Sequence, residues 1–272
     1  LDVDLAVSAG RRAFDRGVWC KMVPKDRKRV LLRLADLVEK NSEELALLET
    51  LDNGKPYADA LASDLPDAIE TIRWHAETID KIYGQVSPTP EGVVSMVVRE
   101  PVGVVGAVIP WNFPLAIMAM KLAPSLAAGN SLIIKPAEQT PLTAIALAKI
   151  AADAGLPDGV LSVLPGFGET TGQAMGRHKD IDCLSFTGST EVGRYFLKYS
   201  AESNLKKVTL ELGGKSPVIV MDKLHNLQNA ADQIAMGILF SQGENCSAGS
   251  RLIVHRAMKD QLLDILRYTF QA

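Results

Sequence analysis

An α/β architecture with a doubly wound, mostly parallel sheet follows from three features of the sequence. From Val102 onward, short apolar runs alternate with helix-like stretches, which is the pattern of parallel β-α-β units. The runs read as buried strands. Five of them end in polar or glycine-rich clusters, at the place where sheets of this kind bind ligands.

The first hundred residues read as helical. The chain opens at Leu1 inside an amphipathic helix, and 25–51 places Val30, Leu31, Leu34, Leu37 and Val38 on one helical face before Asn53-Gly54 ends it. A further helix is expected over 64–83, carrying Ile69, Ile72, Ile79 and Ile82. Gly84 and the segment with Pro88, Pro90 and Gly92 form a loop. Residues 93–98 are β-rich, an arm expected to pair outside its own domain. Strands are then expected at 104–109, 131–134, 160–164, 182–186, 208–210 and 217–220, and helices at 115–128, 140–154, 170–177, 191–200 and 259–270.

Composition narrows the function. With 272 residues, 47% hydrophobic and 22% charged, the chain buries a sizeable core in one large or two smaller domains. Twenty-nine Lys and Arg against 32 Asp and Glu leave a formal charge of -3, which lacks the basic excess of a nucleic-acid or acidic-membrane binder. Lys121 and Lys135 interrupt the longest apolar runs, so no membrane-spanning segment is expected. Cys20, Cys183 and Cys246 are few, scattered and odd in number, which points to a reducing, cytoplasmic setting. The four histidines have no paired metal-ligand spacing, and no metal is expected. The opening inside a helix and the uncapped last helix read as a chain cut at both ends, which leaves a lost targeting segment open.

Six loops are candidates for chemistry. Pro110-Trp111-Asn112-Phe113-Pro114 leaves the Asn112 amide near a helix N-terminus; a helix-capping Asn is the plainer alternative. Lys135-Pro136-Ala137-Glu138 sets an acid and a base just past a strand, suited to a ribose diol, or simply a solvated ion pair. Gly166-Phe167-Gly168-Glu169-Thr170-Thr171-Gly172 is not the G-x-G-x-x-G fingerprint, because its third glycine falls one residue late. Thr187-Gly188-Ser189-Thr190 opens a helix, as phosphate-binding turns do, with a hydroxyl cap as the alternative. Glu211-Leu212-Gly213-Gly214-Lys215-Ser216 ends like a Walker A loop but has Thr209 where the first glycine belongs, and Pro217 opens a strand after it. Glu211 remains as a candidate general base. Cys246 sits in a polar, glycine-flanked loop from Gln242 to Arg251, unlike a core cysteine.

Taken together, the 110–114, 135–138, 186–190, 211–215 and 243–246 segments resemble the NAD(P)-dependent aldehyde dehydrogenase superfamily, in the family's order and near its spacing over nearly the whole chain. The resemblance implies a Rossmann-like NAD-binding domain over 1–213, interrupted by an oligomerisation arm at about 84–100, and the start of an α/β catalytic domain over 214–272. It implies Cys246 as nucleophile, Glu211 as general base and Asn112 as oxyanion-stabilising amide. Cofactor contacts are implied at Ile109, Pro110, Trp111, Asn112, Lys135, Glu138 and Gly168. Further contacts are implied at Thr187, Gly188, Ser189, Val192, Glu211, Leu212 and Gly213.

The chemistry so implied is aldehyde oxidation through a Cys246 thiohemiacetal and a thioester, with water activated by Glu211 for hydrolysis. NAD is expected as cofactor, because Glu138 accepts from a ribose 2′-OH and repels a 2′-phosphate, while Lys135 leaves NADP open. Phe113, Ala116, Ile117 and Met120 match positions lining the family's substrate tunnel, or else pack their helix. The 73–84 stretch resembles the branch acting on aminoaldehydes, γ-glutamylated aminoaldehydes and betaine aldehyde. A homo-oligomer, dimer or tetramer, is implied.

Two departures stand out. Glu244 occupies a position where many members have Gln, and the family's later Glu-x-Phe-Gly-Pro segment is absent. The 272 residues alone are therefore expected to be poorly active. Two other classes compete: a non-catalytic dinucleotide-binding protein, which has no need of Cys246, Glu211 and Asn112 together, and a cysteine-dependent acyltransferase, which has no need of the dinucleotide loops.

Overall fold

The computed structural model describes residues 1–271, which divide into two compact units, Leu1–Glu211 and the chain from Leu212 onward. The first unit begins with α1 (Asp2–Arg16), α2 (Pro24–Lys40), α3 (Ser42–Asn53), the single turn α4 (Tyr57–Asp59) and α5 (Leu65–Thr78). Residues 25–51, expected as one helix, are split at Asn41, whose φ of -102° and ψ of 17° leave the helical register and whose side-chain amide donates to Leu37 O at 2.7 Å. Gly54 closes α3 with φ 83°, a conformation open to glycine, and its N–H donates to Thr50 O. Between α4 and α5 lies a π-helical segment, Ala60–Asp64. The arm is a hairpin: β1 (Gln85–Ser87) pairs antiparallel with β2 (Ser95–Val97), so the β-rich segment finds its partner strand within the chain.

The nucleus of the unit is a five-stranded sheet. β3 (Val104–Val108) lies between β4 (Ser131–Lys135) and β6 (Cys183–Gly188), with β5 (Leu161–Val163) and β7 (Lys207–Leu212) at the edges. β3 pairs in parallel with β4 and β6, and β4 with β5. The expected doubly wound α/β sheet is the observed one. Every residue of β3 and β4 is buried, which accounts for their unbroken apolar sequence. α6 (Pro114–Ala127) and α7 (Leu142–Asp153) link the strands on one side of β3; α8 (Gln173–Arg177) and α9 (Thr190–Ala201) serve the other. Right-handed crossovers then carry the two pairs to opposite faces. The expected 170–177 helix is a π-helical turn, Gly168–Gly172, followed by the short α8.

In the second unit β8 (Pro217–Val220) pairs in parallel with β9 (Arg251–Val254). α10 (Leu227–Leu239) and α11 (Lys259–Thr269) cover the pair, and Val220, Ala231, Ile234, Leu262 and Leu266 form its core. Asn226 caps α10, accepting from Asn229 N–H. Among the described residues no helix is long and apolar enough to cross a membrane.

One buried polar cluster supports the loop after β3. Lys55 and Asp64, 1% and 3% exposed, form an ion pair, and Glu49 Oε1 accepts from the Leu115 N–H at 3.3 Å at the start of α6. Burial pushes the Glu49 carboxyl up from 4.5 to about 7, with the Asp64 charge adding to the rise and Lys55 and the Leu115 hydrogen bond opposing it. An acid whose folded-state pKa is raised holds its proton more tightly when folded, so stability falls as pH climbs from 4.5 to about 7. Glu49→Gln keeps an acceptor for Leu115 and removes the ionisation. Between pH 5 and 8 the parent should therefore lose on the order of 3 kcal/mol more stability than Glu49→Gln, read from urea-unfolding midpoints; parallel pH profiles would contradict this.

Candidate active site

Strand register brings most of the predicted cofactor residues to one edge of the sheet. Val108 pairs with Lys135 on one side and Phe186 on the other, so β3 and β4 end level while β6 runs two residues further, and their loops emerge along the same edge. Ile109 is buried and its N–H donates to Lys135 O at 3.1 Å. Pro110 is half-buried, Trp111 is 44% exposed and Asn112 is 9% exposed. Phe113, not Asn112, is the N-cap residue of α6, and Pro114 opens the helix. The acceptor for that helix start is the Glu49 side-chain carboxylate on α3, which receives the Leu115 backbone N–H, so the plain capping role does not describe Asn112.

Lys135 ends β4 with 2% exposure; its Nζ donates to Glu138 Oε2 at 3.0 Å and to Pro136 O at 2.9 Å. This is not the solvated pair of two exposed side chains, because only Glu138 reaches solvent. Burial raises the Glu138 carboxyl, but the Lys135 hydrogen bond and charge outweigh it and hold the group below its ordinary value. At the end of β6, Thr187 is buried and Oγ1 has no hydrogen-bond partner among the described residues. Gly188 is required by its neighbour, since a Cβ there would stand 2.6 Å from the Phe186 ring. Ser189 caps α9: its Oγ accepts from the Val192 N–H at 3.2 Å.

A cavity of about 460 Å³ opens beside these loops, bounded by Val108, Gly168, Val192 and Phe196 among others. Gly168 and Val192 were expected there from sequence; Tyr195, Phe196 and Tyr199 were not. Val192, Tyr195, Phe196 and Tyr199 follow the i, i+3, i+4, i+7 spacing of one helical face, a signal that was present. The rings of Phe186 and Phe196 lie 4.9 Å apart, those of Phe196 and Tyr199 5.8 Å, and Gln173 Nε2 donates to the Tyr199 hydroxyl at 3.3 Å.

Glu211 is the penultimate residue of β7 and is exposed, followed by half-buried Leu212 and exposed Gly213. Its charge acts on Lys121 of α6: burial lowers the Lys121 pKa and the Glu211 carboxylate opposes that shift. Sequence reasoning used Lys121 only as an interruption of an apolar run. Of the four proposed tunnel residues, Ile117 is buried in the main core and Phe113 packs against it, whereas Met120 is 52% exposed. Phe113 and Ile117 thus both contribute to packing, Phe113 while still half-buried.

The second unit holds Cys246, which is exposed. Asn245 organises the loop: its Oδ1 accepts from the Ser247 N–H at 3.1 Å and the Ser247 hydroxyl at 2.9 Å, and lies 3.9 Å from Cys246 Sγ. Ser241, Gln242 and Gly243 precede it with φ of 50°, 61° and 78°. Two non-glycine residues in this region carry strain of about 1–2 kcal/mol each, which other contacts of the unit must offset.

A family model described as the aldehyde dehydrogenase family matches residues 1–272. The chain is 52% identical to the NADP/NAD-dependent aldehyde dehydrogenase PuuC of Escherichia coli (strain K12) over 271 residues, covering 100% of this chain and 55% of that protein. The solved γ-glutamyl-γ-aminobutyraldehyde dehydrogenase of Burkholderia cenocepacia J2315 superposes with a TM-score of 0.98 at 51% identity, over 99% of this chain and 55% of that one. A mutant of the P. syringae indole-3-acetaldehyde dehydrogenase in complex with NAD+ also gives a TM-score of 0.98, at 49% identity, with 99% and 55% covered. The chain thus spans about half the length of the relatives it matches.

The three thiols differ in setting: Cys20 and Cys183 are half-buried, and burial raises the Cys183 pKa. Iodoacetamide should modify Cys246 at least about tenfold faster than Cys183, followed by peptide mass mapping; faster loss of the Cys183 thiol would contradict the exposure described above.

Proposed function

The chain belongs to the aldehyde dehydrogenase family, and from that premise we propose that the protein oxidises an aldehyde to its carboxylic acid with NAD. The observation that carries the reading is the alignment of the Asn112 loop, the Lys135–Glu138 pair and the Gly168–Val192 cavity along one carboxyl edge of the sheet. An apolar, glycine-bordered cavity of this size next to a carboxylate and a helix N-terminus fits a dinucleotide.

Lys135 and Glu138 hold the adenosine ribose, and Gly168, Gly188, Ser189, Val192 and Trp111 surround the adenine and pyrophosphate. Ile109, Pro110, Asn112, Thr187, Glu211, Leu212 and Gly213 complete the cofactor contacts. A carboxylate at Glu138 accepts from the 2′-OH and disfavours a 2′-phosphate, so NAD is preferred, with NADP tolerated through Lys135. NAD, when bound, supplies the acceptor for the hydride that the substrate carbon loses.

The chain's own groups do the remaining work. Cys246 Sγ, as thiolate, forms a bond to the aldehyde carbon, and the Asn112 amide with the Cys246 backbone N–H donates to the oxyanion. After oxidation the carbon is a thioester. Glu211 takes a proton from a water that attacks this carbon, the C–S bond breaks, and the acid leaves.

Residues 1–213 act as the NAD-binding domain and 214–272 as the first part of the catalytic domain. The hairpin of β1 and β2 exposes Val86, Met96 and Val97 and mediates homo-oligomerisation; the protein works in the cytoplasm. An amino- or γ-glutamylated aldehyde is the preferred substrate, supported by the 73–84 stretch and by the likeness to a γ-glutamyl-γ-aminobutyraldehyde dehydrogenase.

The test is NADH formation by the protein expressed from its complete reading frame, given NAD and a panel of simple, amino and γ-glutamylated aldehydes. Cys246→Ala should lower turnover on the order of a thousandfold or more. NAD binding without turnover on any aldehyde would favour a non-catalytic dinucleotide-binding protein instead.

A further inference from the structure

Four of the five positions from Trp111 to Leu115 are gripped from the α3–α5 segment. Asn53 Nδ2 donates to Trp111 O at 2.9 Å. Lys55 Nζ lies 3.5 Å from Asn112 O and 4.1 Å from the centroid of the Phe113 ring. Glu49 Oε1 receives the Leu115 N–H. The Lys55–carbonyl separation is long for a hydrogen bond, so its pull is that of a charge on a carbonyl dipole and on the face of an aromatic ring.

Lys55 is 1% exposed, among the most buried large side chains in the protein, and its counter-charge Asp64 is 3% exposed. A buried ion pair is a weak source of stability, because apolar residues of similar volume do as well without the desolvation penalty. Its retention therefore calls for a role that a charge performs and a methylene does not. The helix is deformed where the pair forms: the π-helical segment Ala60–Asp64 ends on Asp64, and such segments are frequent at functional sites. None of Glu49, Lys55 or Asp64 takes part in the chemistry described above.

We propose that Lys55, clamped by Asp64, is a positioning residue that fixes the Asn112 peptide and the Phe113 ring and so aims the Asn112 side-chain amide at the oxyanion. This rests on the dehydrogenase reading for what Asn112 does, but the grip on the loop stands on its own contacts. Asn53 and Glu49 hold the two ends of the same loop; at its middle Asn53 Nδ2 shares the Asn112 carbonyl with Lys55, and Lys55 alone of the three adds a charge and the contact with the Phe113 ring. Lys55 itself lines no wall of the cofactor cavity, whose walls come from β3, α8, α9 and the Gly168–Gly172 turn. It meets the loop at the Asn112 carbonyl and the Phe113 ring, away from the Asn112 side-chain amide.

The experiment is a double-mutant cycle between Lys55→Met and Asn112→Ala in the protein from its complete reading frame, with NAD and an aldehyde it oxidises. Hydrogen exchange at residues 111–116 is followed in parallel. Lys55→Met should lower kcat roughly 10- to 100-fold and leave the Kd for NAD within about twofold, while Lys55→Arg recovers part of the loss. In the Asn112→Ala background the same change should cost less than about threefold, since the two residues act on one interaction. Exchange at 111–116 should speed up in Lys55→Met.

Full multiplicative loss in the Asn112→Ala background, or unchanged exchange at 111–116, overturns the proposal. If Lys55→Met leaves Asp64 uncompensated and does not fold, Lys55→Met with Asp64→Leu removes both buried charges and carries the same readouts. If the parent oxidises no aldehyde, the dehydrogenase reading falls; faster exchange would then still support the grip, and unchanged exchange would refute it.

Discussion

Burial of β3 between two parallel partners is the constraint on which the rest of the first unit depends. With Val108 level with both Lys135 and Phe186, three chains leave the same edge of the sheet in the same direction, β6 two residues beyond the other two. Parallel strands must be joined by crossovers, so each exit leads into a loop and a helix start. The loops of Asn112, Glu138 and Ser189 follow three adjacent strands for this reason, although they are far apart in sequence. A one-residue slip would turn every side chain of a strand to the opposite face and dismantle both the core and the edge.

Charge is handled differently at each of these exits. After β4 the lysine is buried and its carboxylate partner reaches solvent, which leaves a hydrogen-bond acceptor on display with its negative charge stabilised from below. After β3 no charge is displayed; the cation and its counter-ion sit beneath the loop at Lys55 and Asp64. After β6 a hydroxyl cap at Ser189 opens the helix. The same edge thus offers an anion, a neutral amide and a helix N-terminus, the set a ribose, a developing oxyanion and a phosphate respectively require.

Much of this was readable in the sequence because the signals were local. Buried parallel strands are apolar runs, and the loops after them carry their functional residues in unbroken stretches such as 110–114 and 135–138. What escaped was set by tertiary contact. The break at Asn41 is hidden because the apolar spacing continues through it, and β9 was hidden by its polar surroundings at Ser250 and Arg251. α10 was overlooked despite its Asn226 cap and the spacing of Ala231 and Ile234. The packing of Phe113 and Ile117 against the core is likewise set by contacts that their positions in the sequence do not announce. Glu49, Lys55 and Asp64 look like ordinary surface charges, since nothing in a sequence marks a charge as buried until its partner is known.

The central claim is that Cys246 carries the substrate as a thioester released by Glu211, and capture of that species tests it most directly. Glu211→Gln, in the protein from its complete reading frame, is mixed with NAD and an aldehyde, quenched in acid and digested. Mass spectrometry should find the acyl group, two hydrogens lighter than the aldehyde adduct, on the peptide containing Cys246. An acyl group on another residue, or none while NADH is still formed, would contradict the account.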